Sequence, residues 1–127
     1  MRYPRPLLDK LGVKPDARVA VVGVDDAGFL RRLESRTGDI SRRARKDSDL
    51  IFLGVRSLRD LDRLAALGET IRRSGAIWVV RIKGDGAVVK ESEVMAAAKR
   101  AGLVDIKVVS FSETHSALKL VIPAARR

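Results

Sequence analysis

The segment at residues 18–28, RVAVVGVDDAG, decides the fold of this chain. Its first five residues form a near-continuous apolar run that ends at Gly23, as is typical of a strand buried on both faces of a sheet. The acidic pair at residues 25–26 then precedes a stretch with Phe29 and Leu33 on one side, which predicts an amphipathic helix. A buried strand followed at once by a helix indicates a parallel α/β sheet.

The same alternation of apolar runs and helical patterns continues in both directions from this segment. Strands are predicted at 50–55, 76–82, 106–111 and 117–122, and helices at 6–12, 57–75 and 91–101. The helix at 57–75 is the longest, because its leucines repeat at helical spacing, Ser57 and Asp60 resemble a capping box, and Gly75 ends the pattern. Residues 39–49 are polar and basic, and we expect a linker anchored only by Ile40.

This order of elements predicts a three-layer, Rossmann-like open sheet, with helices on both faces and mostly parallel strands. No helix separates the last two strands, so the final strand is expected to run antiparallel as part of a C-terminal hairpin. The length favours one domain over residues 1–127.

Composition excludes several classes of site. The chain has 127 residues, no cysteine and one histidine, so neither a disulfide framework, a thiolate metal site nor a histidine-rich metal centre is expected. The first ten residues carry charges and no apolar core, and no apolar run approaches the length of a membrane span. We therefore expect a cytoplasmic protein with no membrane partner.

The net charge of +10 is concentrated in one segment. Residues 31–46 hold seven basic and two acidic side chains. The end of this segment is a candidate site for phosphates or for RNA or DNA. Its cations are Arg42, Arg43, Arg45 and Lys46. Such binding would be non-specific and salt-dependent, because the aromatic side chains fall at core positions. The alternative is a solvated, arginine-rich surface.

Four stretches together resemble a known family. KLGVKPDARVAVVG at 10–23, SDLIFLGVRS at 48–57, GAIWVV at 75–80 and AAKRAGLVDIKVVSFSETHSALKLV at 97–121 look like a family of small bacterial proteins known only as a domain of unknown function. The strand and helix order, with its closing hairpin, also resembles the second half of class I methyltransferases. The resemblance covers nearly the whole chain and implies a trimmed methyltransferase-like fold with no established activity.

The chain departs from the methyltransferase pattern where the cofactor would bind. That family has an acidic-x-Gly-x-Gly-x-Gly turn after the first strand, and here only Gly23 matches. It also has an acidic residue after the second strand, which holds the ribose hydroxyls. Asp39 precedes Ile40, and Asp47 follows a polar stretch, so neither takes that place. The second and third strands are expected to be shortened or missing. No cofactor is therefore expected, with S-adenosylmethionine as the alternative.

Other catalytic motifs are incomplete. Gly23 and Gly28 have the spacing of a phosphate-binding loop, but Phe29 stands where the lysine is needed. We interpret Asp25 and Asp26 as helix-capping residues. The segment at 113–115, Glu-Thr-His, is interpreted as a turn, since no nucleophile motif accompanies it. No catalytic residue is assigned.

Three functions remain open from the sequence. The first is a non-catalytic role exerted through an unknown protein partner or an acidic partner. The second is a degenerate methyltransferase-like protein that still binds S-adenosylmethionine or a nucleotide. The third is a basic accessory protein that contacts RNA or DNA. Ligands of open parallel sheets bind outside the carboxyl ends of the strands. The residues predicted at that edge are Gly23, Asp25, Asp26, Gly28, Arg56, Ser57, Lys83 and Gly84.

Overall fold

The fold is taken from a computed structural model that describes residues 5–126. Six strands form one sheet: β1 (Arg18–Val22), β2 (Asp39–Ser41), β3 (Ser48–Val55), β4 (Ile71–Ile82), β5 (Val104–Ser110) and β6 (His115–Val121). The helices are α1 (Leu7–Lys10), α2 (Ala27–Arg36), α3 (Leu64–Gly68) and α4 (Glu91–Arg100), with 3-10 turns at Leu58–Arg63 and Ala124–Arg126. Among residues 5–126, no helix is both long enough and apolar enough to cross a bilayer.

The sheet has the order β2-β1-β3-β4-β6-β5. Strands β2, β1, β3 and β4 are parallel, whereas β6 runs antiparallel to both β4 and β5. The predicted open sheet, mostly parallel with an antiparallel final strand, is confirmed. Strands β3, β5 and β6 each begin two residues earlier than the sequence predicted.

Hydrophobic cores on both faces of the sheet explain the apolar runs. Val19 and Val21 of β1 pack into one core together with Phe29 and Leu33 of α2. Ala20 points to the opposite face, into a core that contains residues of α3 and α4. Because both faces of β1 are covered, neither set of alternating positions tolerates a polar side chain.

The predicted single helix over 57–75 is wrong. The segment forms a 3-10 turn and the short helix α3, and β4 already begins at Ile71. Thr70 closes the helix, since its Oγ1 donates to the carbonyl oxygen of Leu67 at 2.7 Å. A Cβ on Gly75 would lie 2.9 Å from the carbonyl oxygen of Asp49. Gly75 therefore allows β4 to pass close to β3, and it does not end a helix.

The expected linker at 39–49 contains the three-residue strand β2. Ile40 of β2 pairs with Val19 of β1 and packs against the core, as the sequence predicted for its anchoring role. Within residues 5–126 no strand lies beyond β2. This agrees with the expectation that the second and third strands are shortened or missing.

Candidate functional site

An open cavity of about 460 Å³ lies at the carboxyl ends of the parallel strands β1, β3 and β4. We call it the carboxyl-edge cleft. Its lining consists of Gly23, Val24, Asp25, Asp26, Gly54, Val55, Arg56, Val80, Arg81, Ile82, Val88, Val89, Phe111 and His115. The volume falls within the range of small-molecule sites, and the place is the one that open parallel sheets use for ligands.

Two glycines bring the backbones of β1 and β3 together at the floor of the cleft. Gly23 has a φ of +77°, a conformation that residues with a side chain rarely adopt. A Cβ on Gly54 would overlap the carbonyl oxygen of Gly23. The floor is therefore bare backbone, to which a ligand has close access.

One wall of the cleft is apolar and firmly packed. Phe111 stacks at a tilt on Phe29, with ring centroids 4.8 Å apart, and Phe29 in turn meets Phe52 edge-on. Val89 also lines the cleft but is buried in the core on the other face of the sheet, whereas Val88 is 73% exposed and forms part of the rim. Such a wall suits a flat apolar group, because little side-chain freedom is lost on contact.

A charged cluster stands at the cleft, with Asp25 and Arg56 in the lining and Arg42 just outside it, in contact with Asp25. The Asp25 carboxylate lies between two guanidinium groups, 3.0 Å from Nη2 of Arg42 and 3.5 Å from Nη2 of Arg56. Arg42 also donates to the carbonyl oxygen of Val24 at 3.1 Å. Asp26 has a different role, since its Oδ1 accepts from the backbone N–H of Phe29 at 3.0 Å and caps α2. The capping interpretation holds for Asp26, whereas Asp25 bridges two arginines.

Polar groups on the hairpin side are held by local hydrogen bonds. Arg81 donates from Nη1 to the carbonyl oxygen of Val89 at 3.2 Å, which ties the segment before α4 to β4. His115 is half-buried in the lining, and its Nδ1 lies 2.7 Å from Oγ1 of Thr114. These contacts fix the shape of the cleft on this side.

Four of the eight residues predicted at this edge line the cleft: Gly23, Asp25, Asp26 and Arg56. The other four lie outside the lining. Gly28 is in the first turn of α2, and the backbone N–H of Ser57 donates to Oδ2 of Asp60. Lys83 donates from Nζ to Oγ of Ser110 at 2.8 Å, and Gly84 belongs to the loop after β4.

Sequence reasoning missed the contributions of Gly54, Phe111 and His115. A glycine inside a buried strand signals a close approach of backbone, so Gly54 was detectable in LIFLGV. His115 was interpreted as a turn residue, but it is the first residue of β6 and pairs with Ile82 at the end of β4. Phe111 follows β5 at the same end of the hairpin.

The basic cluster predicted at residues 42–46 does not form one free surface. Arg45 is drawn inward, where its Nη2 lies 2.6 Å from Oδ1 of Asp39 and donates to the carbonyl oxygen of Val19 at 3.2 Å. Arg42 is paired with Asp25, as described above. Arg43 and Lys46 are exposed. A phosphate or nucleic-acid contact of this cluster stays a prediction.

Two residues at this edge depart from the pattern by which S-adenosylmethionine is bound. Strand β2 ends at Ser41, and the next residue is Arg42, so a guanidinium stands where the ribose-holding carboxylate is required. Asp25 replaces the next glycine of the turn after β1. Within the part of the chain that the structure describes, no group of three or more histidine or acidic side chains is placed to hold a metal ion.

Solved structures of methyltransferases share this fold. A SAM-dependent methyltransferase from Aquifex aeolicus superposes with a TM-score of 0.71 at 15% identity, over 92% of this chain and 88% of the other. The CcbJ methyltransferase from Streptomyces caelestis gives 0.64 at 9% identity, over 93% and 88%. An O-methyltransferase of neocarzinostatin biosynthesis, in complex with S-adenosyl-L-homocysteine and 1,4-dihydroxy-2-naphthoic acid, gives 0.65 at 13% identity, over 84% and 50%. At these identities the likeness shows the fold alone.

No curated protein matches the chain. A family model does match, over residues 8–124, which is nearly the whole chain. The description of that family is "Protein of unknown function (DUF3052)". The trimmed methyltransferase-like fold and the match over these residues lead to one conclusion: the chain belongs to the DUF3052 family.

Proposed function

We propose that this chain is a non-catalytic binding domain that holds a nucleoside-type ligand in the carboxyl-edge cleft. The observation that carries the proposal is the open cavity of about 460 Å³ over the bare backbone of Gly23 and Gly54. Of the three functions that the sequence left open, this geometry favours ligand binding, because the edge of the sheet holds an open cavity of ligand size.

The lining of the cleft contains groups suited to the two parts of a nucleoside. Phe111, held against Phe29, offers a rigid aromatic surface for the flat face of a base. Asp25 and Arg56 offer polar groups to a sugar. The fold likeness adds support, since one of the similar methyltransferases was solved with the adenosyl compound S-adenosyl-L-homocysteine.

We propose that the cleft is not catalytic because of the partners that its acidic and histidine side chains have in the structure. Asp25 is paired with two arginines, and Asp26 caps a helix. His115 shares a hydrogen bond with its neighbour Thr114. General acid–base work needs a group within reach of a reacting proton and free to exchange it. The lining of the cleft, as the structure describes it, also contains no serine, threonine, cysteine or lysine to act as a nucleophile, so a bound nucleoside is expected to leave the cleft unchanged.

The test measures the melting temperature of the chain with adenosine and, separately, with adenosine 2′-monophosphate. Ligand at a hundredfold excess over its Kd stabilises the folded state by about 2.7 kcal/mol. Val88→Trp places an indole at the rim of the cleft, on an exposed side chain outside the core. The matched control is Ile106→Trp, an apolar position on β5 that is also exposed, at 52%, and lies outside the lining of the cleft.

We expect both adenosine and adenosine 2′-monophosphate to raise the melting temperature of the natural chain and of Ile106→Trp, but not that of Val88→Trp. Mass spectrometry of the recovered ligand should show it unchanged. If neither compound shifts the melting temperature, or if Val88→Trp responds as fully as the control does, the proposed function is wrong. If the recovered ligand is chemically changed, the proposal that the domain is non-catalytic is wrong.

A further inference from the structure

We infer that the ligand of the carboxyl-edge cleft carries a phosphate group on its sugar, and that Arg42 and Arg56 hold this phosphate in place of the Asp25 carboxylate. The inference rests on the proposed function and names the chemical class of the ligand. In the free protein, Asp25 occupies an anion site that the two arginines form.

The first argument is the convergence of two guanidinium groups from different parts of the chain. Arg42 follows β2 and Arg56 follows β3, and the two approach the same carboxylate at 3.0 and 3.5 Å. Planar guanidinium groups bind carboxylates and phosphates through paired N–H donors. Two of them around one oxyanion form a site for a ligand with more charge and more acceptor oxygens than a carboxylate has.

The second argument is that the carboxylate is easy to displace. The side chains of Asp25, Arg42 and Arg56 are 69%, 49% and 75% exposed. Ion pairs at such exposure contribute little to stability, because water competes for both partners. Their Coulomb attraction is therefore a small obstacle to a dianionic phosphate, which interacts more strongly with the same two cations.

The third argument is the position of Arg42 in the fold. It stands directly after the second strand in the sheet, 19 residues beyond Gly23. In dinucleotide-binding α/β folds an acidic side chain at this place binds the ribose hydroxyls, and an arginine there accommodates a phosphate on the ribose. The same stereochemistry applied to this edge favours a phosphorylated sugar over a free ribose.

The local charge balance agrees with an anionic ligand. Asp26, the other acid of the loop, is committed to the N-terminus of α2 and faces the backbone N–H of Phe29. Asp60 is also committed, because its Oδ2 accepts from the backbone N–H groups of Arg56 and Ser57. Within residues 5–126, Asp25 is the carboxylate paired with the two guanidinium groups, which leaves one positive charge in excess beside the cleft mouth. A phosphate that replaces Asp25 would neutralise this excess.

The test is a set of calorimetric titrations with four probes: adenosine, adenosine 2′-monophosphate, adenosine 5′-monophosphate and inorganic phosphate. We expect at least one monophosphate to bind about tenfold to a hundredfold more tightly than adenosine, as charge-assisted hydrogen bonds allow. Arg42→Gln and Arg56→Gln should each abolish most of this gain. Asp25→Asn should increase it, since the internal competitor is weakened. Arg59→Gln, an exposed arginine three residues after Arg56, is the matched control and should keep the gain.

The outcomes separate the two proposals. If adenosine binds but its monophosphates bind no better, the inference about the phosphate is wrong and the nucleoside site stands. If the gain persists in both arginine variants, the phosphate lies elsewhere and the inference is also wrong. If inorganic phosphate binds as tightly as the best monophosphate, the arginines form a free anion site unconnected to the cleft, which likewise overturns it. If none of the four probes binds, the proposed function itself fails.

Discussion

The close approach of β1 and β3 at the floor of the cleft makes Gly54→Ala the sharpest test of the described geometry. A Cβ at this position overlaps the carbonyl oxygen of Gly23, and the next atoms it meets are the carbonyl carbon of Gly23 at 2.7 Å and Cγ2 of Val24 at 3.3 Å. Because the first obstacle is backbone, no side-chain rotation relieves it. The ends of the two strands must separate, or the turn at Gly23 must move.

The cost follows from these contacts. Overpacking of a well-packed site costs about 1–3 kcal/mol, and a backbone obstacle places this variant in the upper part of that range. The lower entropy of the unfolded chain returns about 0.4–1 kcal/mol. A net loss of about 2 kcal/mol remains. With an entropy of unfolding of about 2.1 cal/mol/K per residue, this corresponds to a decrease of roughly 7 °C in the melting temperature of 127 residues.

The assay is thermal unfolding of the variant, followed by circular dichroism and checked by urea denaturation. Gly38→Ala is the matched control, because a Cβ there meets nothing within 4 Å and the backbone has no positive φ. Its melting temperature should stay close to that of the natural chain or rise slightly. If Gly54→Ala melts within about 2 °C of the natural chain, the two backbones are further apart than described and the floor of the cleft is misplaced.

Two other substitutions test the core and the hairpin. Trp78→Phe removes the donor to the buried carbonyl oxygen of Leu11, a hydrogen bond of 3.0 Å; we expect a loss of about 2–3 kcal/mol in urea denaturation, and an unchanged midpoint would contradict the contact. Lys107→Gln removes the like charge that lies opposite Lys119 on the neighbouring strand. The pKa of Lys119 is lowered mainly by burial and, to a smaller extent, by the charge of Lys107. Because the pKa of Lys119 is lowered, its charged form costs the folded state stability at pH values below the folded pKa. This cost is lost as the pH rises from the folded pKa to the ordinary pKa of lysine. The variant should therefore gain about 0.2–1 kcal/mol at neutral pH and show a higher Lys119 pKa by NMR; a loss of stability would refute this.

The sheet could be predicted because its strands are covered on both faces. Val19 and Ala20 are neighbours in β1, yet they enter two different cores. A strand in that position has no solvent face, so its apolar run is continuous and readable from the sequence. The antiparallel final strand followed from the absence of a helix before it, which is also a local signal.

The end of the helical segment after β3 could not be predicted from the same kind of signal. Leucine spacing continued through Leu64 to Ile71, but Ile71 pairs with Ser48 as the start of β4. Arg72 reinforces the strand by donating from Nε to the carbonyl oxygen of Asp47 at 3.1 Å. These contacts join residues more than twenty positions apart, and a local periodicity contains no information about them.

Part of the site was predictable from topology. Carboxyl ends of parallel strands meet at one edge, which located Gly23, Asp25 and Arg56 correctly in the lining. His115 belongs there by an equally general rule. An antiparallel strand begins at the edge where its parallel neighbours end, so the first residue of β6 lies beside Ile82. This rule could have been applied to the sequence, but the segment at 113–115 was interpreted as a turn and His115 was left out of the predicted site.

The charges were the least predictable feature, because a count of side chains does not include their partners. Arg42 and Arg45 were counted as surface cations, but they donate to the carbonyl oxygens of Val24 and Val19 beside the short strand β2. Both guanidinium groups thus satisfy backbone acceptors at the truncated side of the sheet. At Arg42 this change has a second consequence. Under the phosphate proposal, Arg42 both lacks the carboxylate that would bind ribose hydroxyls and supplies a cation to the anion site at Asp25.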